Sequence, residues 1–261
     1  METLNGTKVF AGPYVGEFGW ELFCFQGHLR WLATNRGCQI IASARPGHEA
    51  LYEDFAVDFV PFNPPEGQPD GWRIHGYDRE AFAGIVPRGM KWLNPWDIKF
   101  QWRGPPVVDD QIFIPYGNPV SSDQMVYDVL IHARARQTCA ARNWPREKWL
   151  ELISQLPSSW SVGWIGTKKE AMGHGSNDLR GLPLKQLIQE IRKARLVVGP
   201  SSGPMHLASL CRTSHVVWSG NKRDVPRYAK VWNPFDVQQR MIQTWQPDVG
   251  AVIAEIRHFL P

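Results

Sequence analysis

The segment that most constrains this chain runs from residue 196 to residue 210, Leu-Val-Val-Gly-Pro-Ser-Ser-Gly-Pro-Met-His-Leu-Ala-Ser-Leu. Its three leading apolar residues predict a buried strand over 196–198. The Gly/Pro/Ser cluster that follows predicts a tight turn. Pro204 suits the first turn of a helix, with Ser201 and Ser202 at the N-cap. Gly199 and Gly203 leave out the Cβ where the backbone approaches another group closely. A strand feeding directly into a helix brings the helix N–H groups and positive dipole end to the C-terminal edge of a sheet. That is where α/β proteins hold phosphates and sugars. An ordinary strand-to-helix turn has the same local chemistry, so the rest of the chain decides.

The same alternation recurs throughout. Residues 8–11, 39–43 and 58–61 read as strands, with a Gly-rich turn over 12–19 and a helix to about residue 34 that buries Leu22, Phe25, Leu29 and Leu32. A second helix is expected over 46–55. Further on, 129–132, 161–165, 196–198 and 215–218 read as strands, and 146–156, 183–195 and 248–260 as helices. Strands alternating with helices imply parallel sheets with right-handed crossovers. The expected fold is therefore α/β, with two Rossmann-like halves facing across a cleft, residues 1–120 and 121–261. Residues 63–119 break the pattern; rich in Pro and Gly and carrying Trp72, Trp92, Trp96 and Trp102, they read as irregular strands and turns.

A chain of 261 residues is long enough for two cores. No apolar run spans a bilayer and no charged-then-apolar start marks a secretory leader, so a cytoplasmic protein is expected. Cys24, Cys38, Cys139 and Cys211 have no metal spacing and read as reduced thiols. A net charge of +4 suits a phosphate-bearing ligand but is too weak to mark a nucleic-acid binder. Thirteen Trp predict that some line a cleft where flat apolar faces meet sugars or bases. Walker, zinc and GxSxG motifs are absent, as is any Asp-x-Asp pair that would hold a metal-bound nucleotide sugar; metal-independent chemistry is expected.

Four blocks follow one another in the second half. Leu130-Ile131-His132-Ala133 precedes Arg142-Asn143-Trp144-Pro145-Arg146-Glu147-Lys148-Trp149, and Gly163-Trp164-Ile165-Gly166 precedes Glu170. Asp178-Leu179-Arg180-Gly181 then leads into the next helix, and the strand-turn-helix of 198–210 closes the set. In this order the blocks resemble the heptosyltransferase-like glycosyltransferases (glycosyltransferase family 9), which have the two-Rossmann GT-B architecture. The resemblance covers residues 129–218; in the first half Gly16-Glu17-Phe18-Gly19 alone stands where the family places a Gly-Asp pair. It implies a nucleotide-sugar donor as co-substrate, with no other cofactor. Donor and diphosphate binding would fall to Arg134, Arg142, Glu170, Ser201, Ser202, Gly203, Pro204, Met205 and His206, and the acceptor side to Gly16, Gly19 and Trp20. Glu17 would be the general base, one methylene longer than the family's Asp. Two departures are visible: the family's acid in Asp-Ser-Gly is Ser201 here, and the first half is shorter.

The residue types suit that chemistry. A carboxylate that removes the acceptor hydroxyl's proton speeds attack on the anomeric carbon. Glu17 is placed for this and Glu21, one turn on, competes; an acid at a helix start also simply complements the dipole. Arg134, Arg136 and Arg142 offer permanent charge to a diphosphate leaving group, or form a solvated basic loop. His206 is either a phosphate donor or a packed ring, Glu170 either a ribose acceptor or part of an exposed turn, and Lys222, Arg223 and Arg227 read as a solvated face or, alternatively, a substrate rim. The expected function is glycosyl transfer to a glycan hydroxyl or, alternatively, to a hydroxymethylpyrimidine-type base in DNA. Rival classes are a sugar-nucleotide epimerase or hydrolase and a non-catalytic sugar-nucleotide-binding protein.

Overall fold

The apolar residues after Lys8 form β1 (Lys8–Tyr14), in which Val9, Phe10 and Ala11 are fully buried. The computed structural model describes residues 4–64, 82, 84–95, 98, 110–118 and 120–260, and the chain divides into two units, Met1–Phe113 and Ile114–Pro261. Trp72, Trp96 and Trp102 lie outside the described residues.

In the first unit β1 pairs in parallel with β2 (Gln39–Ala44) and β4 (Lys91–Leu93), and β2 with β3 (Asp58–Pro61), giving the order β3-β2-β1-β4. After β1 the chain enters a continuous helical stretch: a turn at Phe18–Trp20, a π-helical turn at Glu21–Phe25, and α1 (Gln26–Arg36). Leu22, Phe25, Leu29 and Leu32 are buried as their spacing predicts, and α1 ends at Gly37 in the left-handed conformation. The helix expected over 46–55 is reduced to a single 3-10 turn, Glu49–Leu51. Gly47, at φ +87°, turns the backbone out of a helical path just after the expected start. Strand β4 lies inside the stretch expected to be irregular; three residues are too few for an alternation signal, and pairing with β1 makes the strand.

In the second unit β5 (Tyr127–Ile131), β7 (Val162–Trp164), β9 (Ala194–Pro200), β10 (His215–Trp218) and β11 (Gln239–Ile242) form a parallel sheet in the order β11-β10-β9-β5-β7. A two-stranded antiparallel ribbon pairs β6 (Ala133–Arg134) with β8 (Ala171–Met172). The helices are α2 (Arg146–Gln155), α3 (Leu184–Arg192), α4 (Gly203–Leu210) and α5 (Val249–Arg257). Residues of the central strands β5, β9 and β10 are buried on both faces, as in parallel sheets covered by helices. One face packs Val129, Ile131, Leu196, Val198 and Val216 against Leu152, Val252 and Ile256 of α2 and α5. Trp144, Trp149, Trp164 and Trp218 belong to this core, with Trp144 and Trp149 edge-to-face at 4.9 Å and Trp149 and Trp218 at 5.5 Å. These four therefore do not line a cleft: burying so large an apolar ring outweighs offering it to a ligand.

Candidate active site

An open parallel sheet leaves a crevice beyond its strands' carboxyl ends where the winding direction reverses. In the second unit the chain moves outward from β5 to β7, then returns past β5 to β9 and continues through β10 and β11. The reversal falls between β5 and β9, so residues 132–134 and 201–203 share one sheet edge. Gly199 allows the close approach of their strands, since a Cβ there would stand 2.9 Å from the His132 carbonyl oxygen. His132 is buried and its Nδ1–H donates to the Ile165 carbonyl at 3.3 Å; burial is the first cause of a pKa lowered to about 4.

Helix α4 opens as its sequence predicts, with Ser202 at the N-cap and Pro204 in the first turn. The Ser202 hydroxyl does not cap the helix: it donates back to the Pro200 carbonyl at 2.8 Å. No acidic side chain stands in the first turn to offset the positive end of the dipole. Ser201 is buried, with its N–H on the Trp218 carbonyl at 2.8 Å and its Oγ accepting from Tyr228 at 3.2 Å. Gly203 and Pro204 are half-buried. The Met205 side chain is in the core. His206 is buried, stacked on Tyr228 at 5.2 Å and edge-on to Trp232 at 4.5 Å. Burial, then the neighbouring His215 and the Arg227 charge, lower its pKa to about 3, so its ring is an enclosed neutral imidazole and not a cation.

The cations come from the loop after β5. Arg134 is buried and donates to the Thr138 and Cys139 carbonyls at 2.6 and 3.2 Å and to Asn143 Oδ1, bracing the loop around itself. Burial, then the charges of Arg136 and Arg142, lower its pKa to about 10, which marks the three guanidinium groups as one positive field. Arg136 is paired with Glu170 at 3.2 Å, so this acid is engaged by the same cluster. Arg142 is half-buried at the end of a 3-10 turn, Ala140–Arg142. Asp178 and Arg180 form a staple: the Arg180 hydrogen bonds hold the Asp178 carboxyl at about 2, and Arg180 also donates to the Ala171 carbonyl at 2.7 Å. Among the described residues no cluster of three His, Cys, Asp or Glu side chains could hold a metal ion, and no helix is long and apolar enough to cross a membrane.

In the first unit the winding reverses between β1 and β4, and residues 15–17 follow β1 at that edge. Gly16 is buried, while Glu17, Gly19 and Trp20 are half-buried. The Glu17 carbonyl accepts from the N–H groups of Trp20 and Glu21 at 3.0 and 3.2 Å and from the Tyr14 hydroxyl at 3.0 Å. Glu21 is only 1% exposed; its two oxygens accept from His48 Nδ1 at 2.8 Å and from the Tyr52 hydroxyl at 2.7 Å. Burial alone would lower the His48 pKa, but the charge and hydrogen bond of Glu21 outweigh it and the net direction is upward. Of the two competing acids, Glu21 is thus enclosed and committed to partners, and Glu17 is the more accessible.

The chain aligns over 99% of its length with 98% of a family 9 glycosyltransferase from Veillonella parvula, at TM-score 0.61 and 12% identity. It aligns over 97% of its length with 98% of the E. coli ADP-heptose LPS heptosyltransferase II (TM-score 0.60, 13% identity). The alignment with E. coli heptosyltransferase WaaC bound to ADP-2-deoxy-2-fluoro heptose covers 97% of this chain and 99% of that one (TM-score 0.60, 14% identity). The chain has the fold of these glycosyltransferases. No protein-family model matches it and no curated protein matches its sequence, so the likeness is one of fold. The resemblance carried by the four sequence blocks points to the same fold.

Sequence reasoning did not single out Trp245 or Tyr228, which stand against Arg142 and His206 respectively. Both fall in segments without periodicity, where the available signal was an aromatic residue among polar neighbours.

Proposed function

We propose that this protein is a glycosyltransferase that moves a sugar from a nucleoside-diphosphate sugar to an acceptor hydroxyl on a glycan. The observation that carries the reading is the sheet edge between β5 and β9, where a helix N-terminus with no acid in its first turn shares the edge with the segment of Arg134, Arg136 and Arg142. That combination suits the charge that develops on a departing diphosphate. The fold supports the class of donor, since neighbours of that fold are named for ADP-heptose or hold an ADP-heptose analogue.

In this reading Arg142 is the direct diphosphate ligand and Arg134 braces its loop. The backbone of Ser201, Ser202 and Gly203 approaches the phosphates with Pro204 setting the helix entry, while Met205 and His206 hold α4 in place by packing. Glu170 balances the arginine cluster through Arg136. Gly16, Gly19 and Trp20 belong to the acceptor side, and the Glu17 carboxylate accepts the acceptor hydroxyl's proton as the new glycosidic oxygen–carbon bond forms and the bond to the diphosphate breaks. No cofactor besides the donor and no metal enters this scheme.

A calorimetric titration with ADP, UDP and GDP, followed by the matching nucleotide sugars, tests it. One diphosphate is expected to bind, and Arg142→Ala to weaken it by about ten- to a hundredfold, the cost of a charge-assisted hydrogen bond. Absence of binding by all three would overturn the donor site.

A further inference from the structure

A 3-10 turn of three residues has little rigidity of its own, and a long arginine side chain loses much rotamer freedom when it is held still. Arg142 nevertheless ends such a turn, so its placement depends on what surrounds it. The loop after β11 supplies that support. The Trp245 ring lies against the guanidinium, with Arg142 Cζ 4.9 Å from the ring centroid. The next residue, Gln246, donates from Nε2 to the carbonyls of Ala141 at 3.0 Å and Asn143 at 2.9 Å, the two residues flanking Arg142. The Pro247 carbonyl then accepts from Trp144 Nε1 and Lys148 Nζ, both at 2.9 Å. Gly220, in the loop after β10, makes room for the indole; a Cβ there would stand 2.2 Å from Trp245 Cδ1. Three successive residues thus grip the side chain, both backbone flanks and the following helix start of one arginine.

We propose that Trp245, supported by Gln246, is a positioning residue that fixes the Arg142 guanidinium for the donor diphosphate. A guanidinium against an aromatic face keeps its charge and its outward N–H edge while losing the freedom to swing into solvent. The interaction is favourable before the ligand arrives, so the ordering cost is not charged to binding. The inference rests on the reading of Arg142 as a diphosphate ligand.

A double-mutant cycle on the full chain tests it, with the nucleoside diphosphate that binds in the titration above as probe. Trp245→Leu is expected to weaken binding roughly three- to tenfold, the range of a cation–π contact at a partly exposed site, and Trp245→Phe to restore most of the loss. In the Arg142→Ala background Trp245→Leu is expected to cost nothing further, because its effect passes through the guanidinium. Equal losses in both backgrounds would overturn the proposal by showing that Trp245 acts apart from Arg142, and so would wild-type affinity in Trp245→Leu. Gln246→Ala, which leaves the indole in place, is expected to weaken binding about two- to threefold and guards against misfolding of the leucine variant. If Arg142→Ala binds like wild type, the diphosphate reading fails first and the positioning role falls with it.

Discussion

The two units place opposite chemistry at the same kind of position. Each has a parallel sheet whose winding reverses once, between β1 and β4 in the first and between β5 and β9 in the second. At the first reversal the ionisable groups include Glu17 and the buried Glu21, the latter tied to His48 and Tyr52. At the second they include three arginines, one of them paired with Glu170, beside a helix with no acid in its first turn. The strand topology selects where a site forms, and the residues of the following loops decide which charge it handles. Under the proposed function the contrast is a division of labour: a proton acceptor on one unit and a stabiliser of negative charge on the other.

The largest test of that division is Glu17→Gln. Loss of a general base lowers kcat by about 10²–10⁴-fold, and the donor affinity measured by calorimetry is expected to stay within a factor of about two. A comparable loss of diphosphate binding in this variant would break the contrast between the units.

Next in size is the core of the second unit. Trp149 is 1% exposed and packs against three other Trp rings, so Trp149→Ala is expected to cost about 3–5 kcal/mol in denaturant unfolding. Hydrogen exchange would show the protection lost in β5, β9 and β10 before β1 and β2.

Acid sharpens the comparison further. His132, His206 and His215 in the second unit have pKa values lowered to about 4, 3 and 4, first by burial, from an ordinary 6.5. Their neutral forms therefore stabilise the fold fully above about pH 6.5, and that contribution is lost as pH falls toward 4, by roughly 1–2 kcal/mol for each ring at pH 5. His48 in the first unit is shifted upward, so its contribution is full below pH 6.5 and disappears as pH rises through its folded value. His28 in the first unit is shifted down, mainly by burial, and opposes it. Exchange protection measured from pH 5 to 8 is expected to fall more steeply on the acid side in the second unit, and His48→Gln to remove the alkaline loss in the first. The smallest effect concerns Ser202: with no capping bond from its hydroxyl, Ser202→Ala is expected to change stability by less than about 0.5 kcal/mol, below the usual cost of losing an N-cap.

Local pattern carried much of this architecture. Strands β1, β2, β3, β5, β7, β9 and β10 and helices α1, α2, α3, α4 and α5 fall where apolar spacing and turn residues put them, because each buries a stripe with its own period. Strands β4 and β11 gave no such signal; each is short and exists through its pairing partner. The helix expected over 46–55 failed where Gly47, in a left-handed conformation, outweighed a favourable apolar pattern. In the candidate site, residue type marked the arginines and the strand-turn-helix as candidates, while their burial and partners depended on neighbours far away in sequence. Glu21 and Glu17 look alike along the chain, yet only Glu21 is enclosed by His48 and Tyr52.

The amino-acid sequence by itself determined the alternation of strands and helices, the strand-turn-helix at 196–210, and the supply of cations and acids in the loops, since these follow from local sterics, periodicity and composition. Tertiary structure alone decided the strand orders, which Trp residues became core, and the neutrality of His206. It also set Trp245 beside Arg142, which lies far from it along the chain. Burial and partner choice are properties of packing between distant segments, and no local pattern encodes them.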